Sequence, residues 1–518
     1  MFKVTFRFAF NSIKPLFKPR ALRNLLAGAA LLGIAMPAFA DPLQLFPGGP
    51  QFPGDGFPFV PGVLEVSRVA YDGNTFGSSE TYPFIFNDPN VTGVQGSIHI
   101  DQYLTLPGLP IINTLPLSGL TTSFSSKSEG ALMLSTNGSF LTYMGYAGPI
   151  GAEGVSNSYT TGPGANLQPP VLPAYDRAVA LIGANGKVTV QNESNAYSGD
   201  NPRAAITVDG TQFYMAGNSD STTYTTGCPA GETTCGPGLT IGARYGTPGS
   251  NTSIQLGNYV ATDRNSGSNK ESAKQHIKDN NFRGIGIYNG NLYVSKGSGG
   301  NGDDGLFQVE NGTGNGLPTG TGNTIVELFG SPATDSSGNP SPYTPFGFFF
   351  ANATTLYVAD EGLATDASGN LLPTPDPLAG LEKWSLVNGT WQLVYTLQNG
   401  LDLNHLETIE GYPVQSATTG LRNMTGVINP DGTVTIYAIT GQFSSVSGGE
   451  PDPTKLVVIT DRLEATKPAY DEEFVTLKVS RPSEVFRGVA FVPCADAFNL
   501  YSDPNFVATS TCPFIHHD

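Results

Sequence analysis

Apolar and polar positions along this chain recur at a fixed phase. A short apolar strand is entered through a polar residue, turns tightly through Gly or Asn, and returns as a second strand rich in Tyr and Val. The unit reads SEGALMLSTNGSFLTYMGY from Ser128, PRAAITVDGTQFYMAGN from Pro202, FRGIGIYNGNLYVSKG from Phe282, PFGFFFANATTLYVADEG from Pro345 and RNMTGVINPDGTVTIYAITG from Arg422, with half a unit, FRGVAFVP, from Phe486. Self-similarity of this kind means one supersecondary unit stacked on copies of itself. The unit at Pro345 contains the strands GFFFA, TTLYVA, GLEKWSL and TWQLVYTL, and the unit at Phe282 contains GIGIY, NLYVS, GLFQV and TIVELF. Four antiparallel strands per unit predict an all-β fold, a β-propeller of four-stranded blades.

The half unit at the C-terminal end lacks its outer strands, whereas VLEVSRVAYDG from Val63 lacks an inner one. Pairing Phe486 to Val492 with Leu64 to Ala70, and these with GSIHIDQYL from Gly96, completes a blade from both ends of the chain and closes the ring without a free edge. Six blades result. The apolar run YPFIFNDPN, inside the long stretch 73–127, leaves a seventh open. Turns from first to second strand are short, built on Asn137-Gly138, Asp209-Gly210, Asn289-Gly290 and Pro430-Asp431-Gly432. Connections from second to third strand (145–176, 217–239, 360–380, 442–455) and some that enter a first strand (261–281, 398–421) are long. Antiparallel geometry gathers these long loops at one mouth of the ring, the side where function is expected.

The sequence outside the repeats sets the compartment. Residues 1–40 place Lys3, Arg7, Lys14, Lys18, Arg20 and Arg23 ahead of LLAGAALLGIAMPAFA, the pattern of a secretory signal peptide. The apolar run is short for a membrane anchor, and no later stretch approaches a span. Residues 41–62 form a Pro/Gly-rich linker, 63–493 the propeller and 494–518 a tail. Cleavage would remove six of the 26 Lys and Arg and none of the 43 Asp and Glu, so acids outnumber bases more than two to one in the mature chain. So acidic a surface disfavours nucleic acid and anionic membranes as partners. Cys228 with Cys235, and Cys494 with Cys512, are local pairs that fit two disulfides in an oxidising compartment; neither has the Cys-x-x-Cys or Cys-to-His spacing of a zinc site.

First strands line the channel of a propeller, so the residues that open them converge on its axis. Here these are Glu129, Arg203, Arg283, Phe346, Arg422 and Arg487. Four guanidinium groups inside an acidic shell point to an anionic ligand, because Arg holds carboxylate, sulfate or phosphate through paired hydrogen bonds. The structural alternative is that each Arg stitches neighbouring blades together. Second strands end at the same mouth and bring Lys296, Asp360 and Glu361, the two acids being candidates for acid or base or for pairing with the arginines. His276 and His405 lie in loops leading into first strands and are the candidate general bases, against the alternative of solvated loop histidines. No cofactor is implied; Asn301, Asp303 and Asp304 in GSGGNGDDG offer oxygen ligands to calcium but without a helix-loop-helix spacing. Phosphate-loop, G-x-S-x-G and H-E-x-x-H motifs are missing from the sequence.

The succession SEGALMLS, FLTYMGY, LYVADEG, GLEKWSL, GTWQLVYTL and FRGVAFVP resembles a group of exported bacterial six-bladed propeller proteins, mostly hypothetical, that end in an FRGVAF-type closing strand. The resemblance runs from about Val63 to Pro493 and implies the ring fold and export, with no catalytic residues to carry over. The chain departs from it in the Pro/Gly-rich start, the YPFIFNDPN insertion and the cysteine tail. The expectation is a secreted or periplasmic propeller that engages an extracellular anionic ligand, foremost an acidic polysaccharide. If it is an enzyme, lyase chemistry leads, with arginines neutralising a uronate carboxylate while His276, His405 or a mouth tyrosine takes the adjacent proton. The alternatives are a non-catalytic binding or scaffold module, a glycoside hydrolase using Asp360 or Glu361, and a quinone-dependent sugar oxidoreductase.

Overall fold

The described residues contain six four-stranded antiparallel meanders, five with a full copy of the repeat and one with its half unit, and Thr262–Asp263 is added in parallel at the outer edge of one of them. The computed structural model describes residues 63–71, 93–104, 110–124, 126–158, 175–218, 242–256, 262–263, 281–297, 304–312, 314–321, 323–333, 342–366, 368–444 and 453–493. Blade 1 runs Glu484–Phe491, Leu64–Ala70, Gln95–Tyr103 and Ile111–Ser123 from the axis outward, so both ends of the propeller chain share one sheet. Leu64 to Ala70 pairs with the closing strand on one edge and with Gln95–Tyr103 on the other, as the sequence predicts. Blade 2 (Leu132–Leu134, Phe140–Tyr146, Arg177–Gly183, Val188–Glu193) is joined to blade 1 in strand pairing at Thr121 opposite Tyr146. Blade 3 comprises Pro202–Ile206, Phe213–Gly217, Ala243–Gly246 and Ile254–Gln255, and blade 4 comprises Phe282–Tyr288, Asn291–Lys296, Gly305–Val309 and Ile325–Gly330. Blade 5 is Pro345–Asn352, Thr355–Asp360, Gly380–Val387 and Thr390–Leu397; blade 6 is Gln415–Ile428, Thr433–Ser444, Lys455–Arg462 and Val475–Val479.

The core lies between the blades. Separate apolar clusters join blades 1 and 2 around Ile100 and Tyr143, 2 and 3 around Met144 and Phe213, 3 and 4 around Tyr214 and Phe282, 4 and 5 around Phe329 and Trp384, 5 and 6 around Tyr357 and Ile436, and 6 and 1 around Ile439 and Phe486. The last cluster closes the cycle, so the sheets form a β-propeller ring. Because every blade buries both faces, strands read as near-continuous apolar runs, and Phe213–Gly217 and Thr355–Asp360 are buried throughout.

Two local devices shape the axis. In blades 1, 3, 4, 5 and 6 the inner strand slips register against its partner, and the skipped segment contains Arg487, Arg203, Arg283, Phe346 and Arg422 respectively. A bulge of this kind leaves the ladder and re-aims its side chain. The residue that follows is often glycine because the next inner strand packs backbone to backbone: a Cβ at Gly347 would sit 2.8 Å from the Arg422 carbonyl oxygen, and one at Gly488 would collide with Leu132 N. Second-strand hydroxyls tie the bulges across blades. Gly284 N donates to Ser295 Oγ at 2.8 Å and Ser295 Oγ to the Phe346 carbonyl at 2.5 Å; Gly488 N donates to Ser67 Oγ at 2.7 Å and Ser67 Oγ to the Gly130 carbonyl at 3.1 Å.

One expectation about loops is corrected. In blade 6 the pairing of first and second strands continues outward as far as Ser416 opposite Ser444, and Glu407–Thr408 adds a short strand beside it. Part of what reads as long mouth loops (398–421 and 442–455) is therefore a projecting hairpin. The YPFIFNDPN run, residues 1–62 and 494–518 and all four cysteines lie outside the described residues. Among the described residues no helix is long and apolar enough to cross a membrane.

Candidate functional site at the ring axis

The bulges bring the four predicted arginines together. Arg203, Arg422 and Arg487 are 5%, 4% and 3% exposed, and Arg283 is half-buried. Arg422 donates from Nε to Glu361 Oε1 at 3.1 Å and from Nη2 to the same oxygen. Arg487 Nη2 donates to the Phe124 carbonyl. Arg283 and Arg422 both lie over the Phe346 ring, with guanidinium carbons 4.8 and 5.8 Å from its centroid. In the place where the repeat puts an arginine on other blades, an aromatic ring therefore contacts two of them.

These cations are poorly compensated. Among the described residues, Nε and Nη1 of Arg203, Nε of Arg283 and Nε of Arg487 are buried without a hydrogen-bond partner. Burial pulls Arg203 down to about 10 even though Asp200, Glu129, Tyr146 and Glu361 oppose it. Burial and the like charge of Arg422 likewise bring Arg487 to about 10, against Tyr143 and Glu129. Burial, joined by Arg203 and Arg422, drives Arg283 well below the ordinary value, with Glu361 and Asp304 working the other way. Arg does not give up its proton in a protein. The shifts therefore express first the cost of burying these cations, and for Arg487 and Arg283 also the like charge of neighbouring arginines.

The two carboxylates at the axis are differently employed. Glu129 is fully buried and its oxygens are taken: Oε2 accepts from Thr122 Oγ1 at 2.6 Å and Ser123 N at 3.0 Å, and Oε1 from Tyr146 Oη and Asn201 Nδ2, both at 2.6 Å. It knits blades 1, 2 and 3 and offers a ligand little. Glu361 is 22% exposed at its side chain; burial pushes its carboxyl up, but Arg422 and Arg283 outweigh that and hold it below the usual carboxylate range. Lys127 also faces it while donating to the Gln442 carbonyl at 3.2 Å. Nothing in the sequence around Lys127 marks it as a member of the site.

The remaining candidates are scattered. Asp360 is buried and accepts from Thr344 N (3.1 Å), Thr344 Oγ1 (2.8 Å) and Gly362 N (2.6 Å), so it pins two loops; burial, aided by Asp376 and opposed by these bonds, raises it to about 7. Lys296 ends the second strand of blade 4, buried opposite Phe282 and next to the Arg283 bulge. His405 is 67% exposed and pairs through Nδ1 with Asp402 at 3.0 Å; no contact joins it to an axial arginine among the described residues. Tyr143 lies beside Arg487, but burial pushes its phenol up, the opposite of what a base requires. His276, Asn301, Asp303, Cys228, Cys235, Cys494 and Cys512 fall outside the described residues. Among the described residues no group of three or more His, Cys, Asp or Glu is placed to hold a metal.

No protein-family model matches the chain, and no curated protein matches it. Among solved structures it is similar to a Bacteroides uniformis protein described as a candidate 6-phosphogluconolactonase (10% identity, 83% of this chain and 99% of that chain, TM-score 0.32). It is also similar to the haemagglutinin-neuraminidase ectodomain of parainfluenza virus 5 (9% identity, 71% and 76%, TM-score 0.34) and to an oligogalacturonate lyase in complex with manganese (9% identity, 80% and 96%, TM-score 0.30). Likeness this remote carries nothing about activity.

Proposed function

We propose that this propeller is an anion-binding protein whose axial arginines receive a carboxylate or sulfate head group, with an acidic saccharide outside the cytoplasm as the occupant. The observation that carries the reading is the set of buried, unpartnered N–H groups on Arg203, Arg283 and Arg487. A desolvated guanidinium edge is costly when unanswered and selective when answered by a planar anion. The low exposure of these side chains fits one head group entering the funnel, such as a chain-end uronate, and not a polysaccharide threaded through it. Export follows from the signal-peptide pattern of residues 1–40.

Binding without turnover is favoured over lyase or hydrolase chemistry. Asp360 is consumed by loop hydrogen bonds, Glu361 is paired with Arg422, and His405 stands in solvent beside Asp402. Calorimetry with glucuronate and with galacturonate oligomers tests the proposal. Binding should weaken with added salt, and Arg203→Met should reduce it about 10–100-fold, the worth of one or two charge-assisted hydrogen bonds. Absence of binding to either sugar acid at millimolar concentration sinks the proposal, and unsaturated products absorbing in the ultraviolet would replace it with a lyase.

A further inference from the structure

Glu361 is held in the axial mouth by its surroundings and not by chance of rotamer. A Cβ at Gly420 would collide with the main-chain carbonyls of Asp360 and Glu361, so only glycine lets this segment lie on the strand that carries Arg422. A Cβ at Gly441 would press on Thr419 Oγ1 at 2.7 Å and reach Glu361 Cγ at 3.1 Å. Gly362, at φ 71°, adopts a left-handed turn where a Cβ would strike Ala379. The three hydrogen bonds received by Asp360 fix the backbone one residue earlier. A single negative charge is thereby fixed among Arg422, Arg283, Arg203 and Lys127.

We infer that Glu361 is a selectivity residue of the axial anion site, a tethered carboxylate that occupies Arg422 and biases the other three arginines toward a ligand bearing one negative charge. This inference rests on the anion-binding reading. The attraction of a site for an ion grows in proportion to the ion's charge, whereas the cost of stripping its water grows with the square. Lowering the positive field by one fixed charge therefore penalises a dianion twice as heavily, on a logarithmic scale, as a monoanion of the same shape. With Glu361 in place the balance favours a monoanion such as a uronate carboxylate.

Methyl sulfate and sulfate, which share an oxyanion face and differ in charge, are the probes, with glucuronate as the carboxylate reference. The full chain should bind glucuronate and methyl sulfate more tightly than sulfate. In Glu361→Gln, methyl sulfate should tighten by about 10-fold and sulfate by about the square of that factor, so the preference shrinks or inverts. Arg422→Gln, which leaves Glu361 uncompensated, should weaken sulfate by the square of the factor by which it weakens methyl sulfate, and it serves if Glu361→Gln does not fold. A Glu361 that only staples Arg422 would change the melting temperature and shift both probes by one common factor, which overturns the inference while leaving anion binding intact. If the unaltered chain binds none of the three ligands, the failure belongs to the anion-binding reading itself.

Discussion

Two buried arginine environments in this propeller obey opposite rules. Arg177, in the third strand of blade 2, is fully buried and all of its N–H groups are answered: Nε and Nη2 donate to the Asp200 carbonyl (3.2 and 2.8 Å), Nη2 also to Ser156 O (2.7 Å), and Nη1 to Ser158 O and Tyr175 O (2.9 and 3.0 Å). Lys383 is treated the same way in blade 5, with Tyr395 Oη, the carbonyls of Arg462 and Ala465 and the Asp461 carboxylate around its Nζ. Where the fold needs a buried cation it supplies acceptors from nearby loops. At the axis, ring geometry sets guanidinium beside guanidinium, and among the described residues N–H groups of Arg203, Arg283 and Arg487 are left over. The contrast separates buried cations whose N–H groups are all matched from buried cations that keep unmatched N–H groups among the described residues.

Substitution should give the two classes opposite signs. Arg177→Met is expected to lower stability by about 3–5 kcal/mol, comparable to breaking other matched buried charges. Arg203→Met should leave stability within about 1 kcal/mol or raise it, since an unanswered guanidinium already costs the fold. Urea unfolding compares the two, and equal losses would erase the distinction.

A smaller effect comes from pH. Burial raises Asp360, Glu193 and Glu472 to about 7 and Glu65 to about 8, and burial with the charge of Asp360 raises Glu382 well above the ordinary carboxylate value. A carboxyl that keeps its proton in the folded chain, but releases it near pH 4 when unfolded, contributes stability that is lost as pH rises from about 4 through the folded value. Glu361 acts oppositely, because its lowered carboxyl contributes above the ordinary Glu value and fades below it. The melting temperature should peak in mildly acidic solution and fall by several degrees toward pH 8.5, with Glu65→Gln flattening the upper limb. A flat profile between pH 5 and 8.5 would show that these carboxyls are not buried as described.

The smallest expected effect sharpens the comparison by exclusion. His405→Ala should change stability by less than about 0.5 kcal/mol and leave glucuronate affinity unaltered, as befits an exposed pair with Asp402. A large loss of binding would move the site from the axis to the loop between blades 5 and 6.

Much of this was legible before any coordinate. The phase of the repeat located every inner strand, and the Asn289-Gly290 turn has the positive φ at both positions (47° and 66°) that the dipeptide announces. The role of Glu129 was not legible, because its partners Thr122, Asn201 and Tyr146 come from three blades and none is marked by spacing. The projecting hairpin of blade 6 was hidden for another reason: its Ser-, Thr- and Gly-rich flanks lack the apolar alternation by which a strand is recognised.

By itself the sequence determined the ring, its closure through Phe486 to Val492, and the arrival of four arginines at corresponding positions, because these follow from periodicity and every repeat must answer to the same packing. Only the tertiary structure decided which side chains those arginines meet. Whether a guanidinium is matched depends on bulge register, on where Gly420 and Gly441 admit the Glu361 segment, and on what neighbouring loops deliver, and each of these is a contact between residues far apart in the chain. Hydrogen-bond satisfaction is a property of the assembled neighbourhood, which local pattern does not encode.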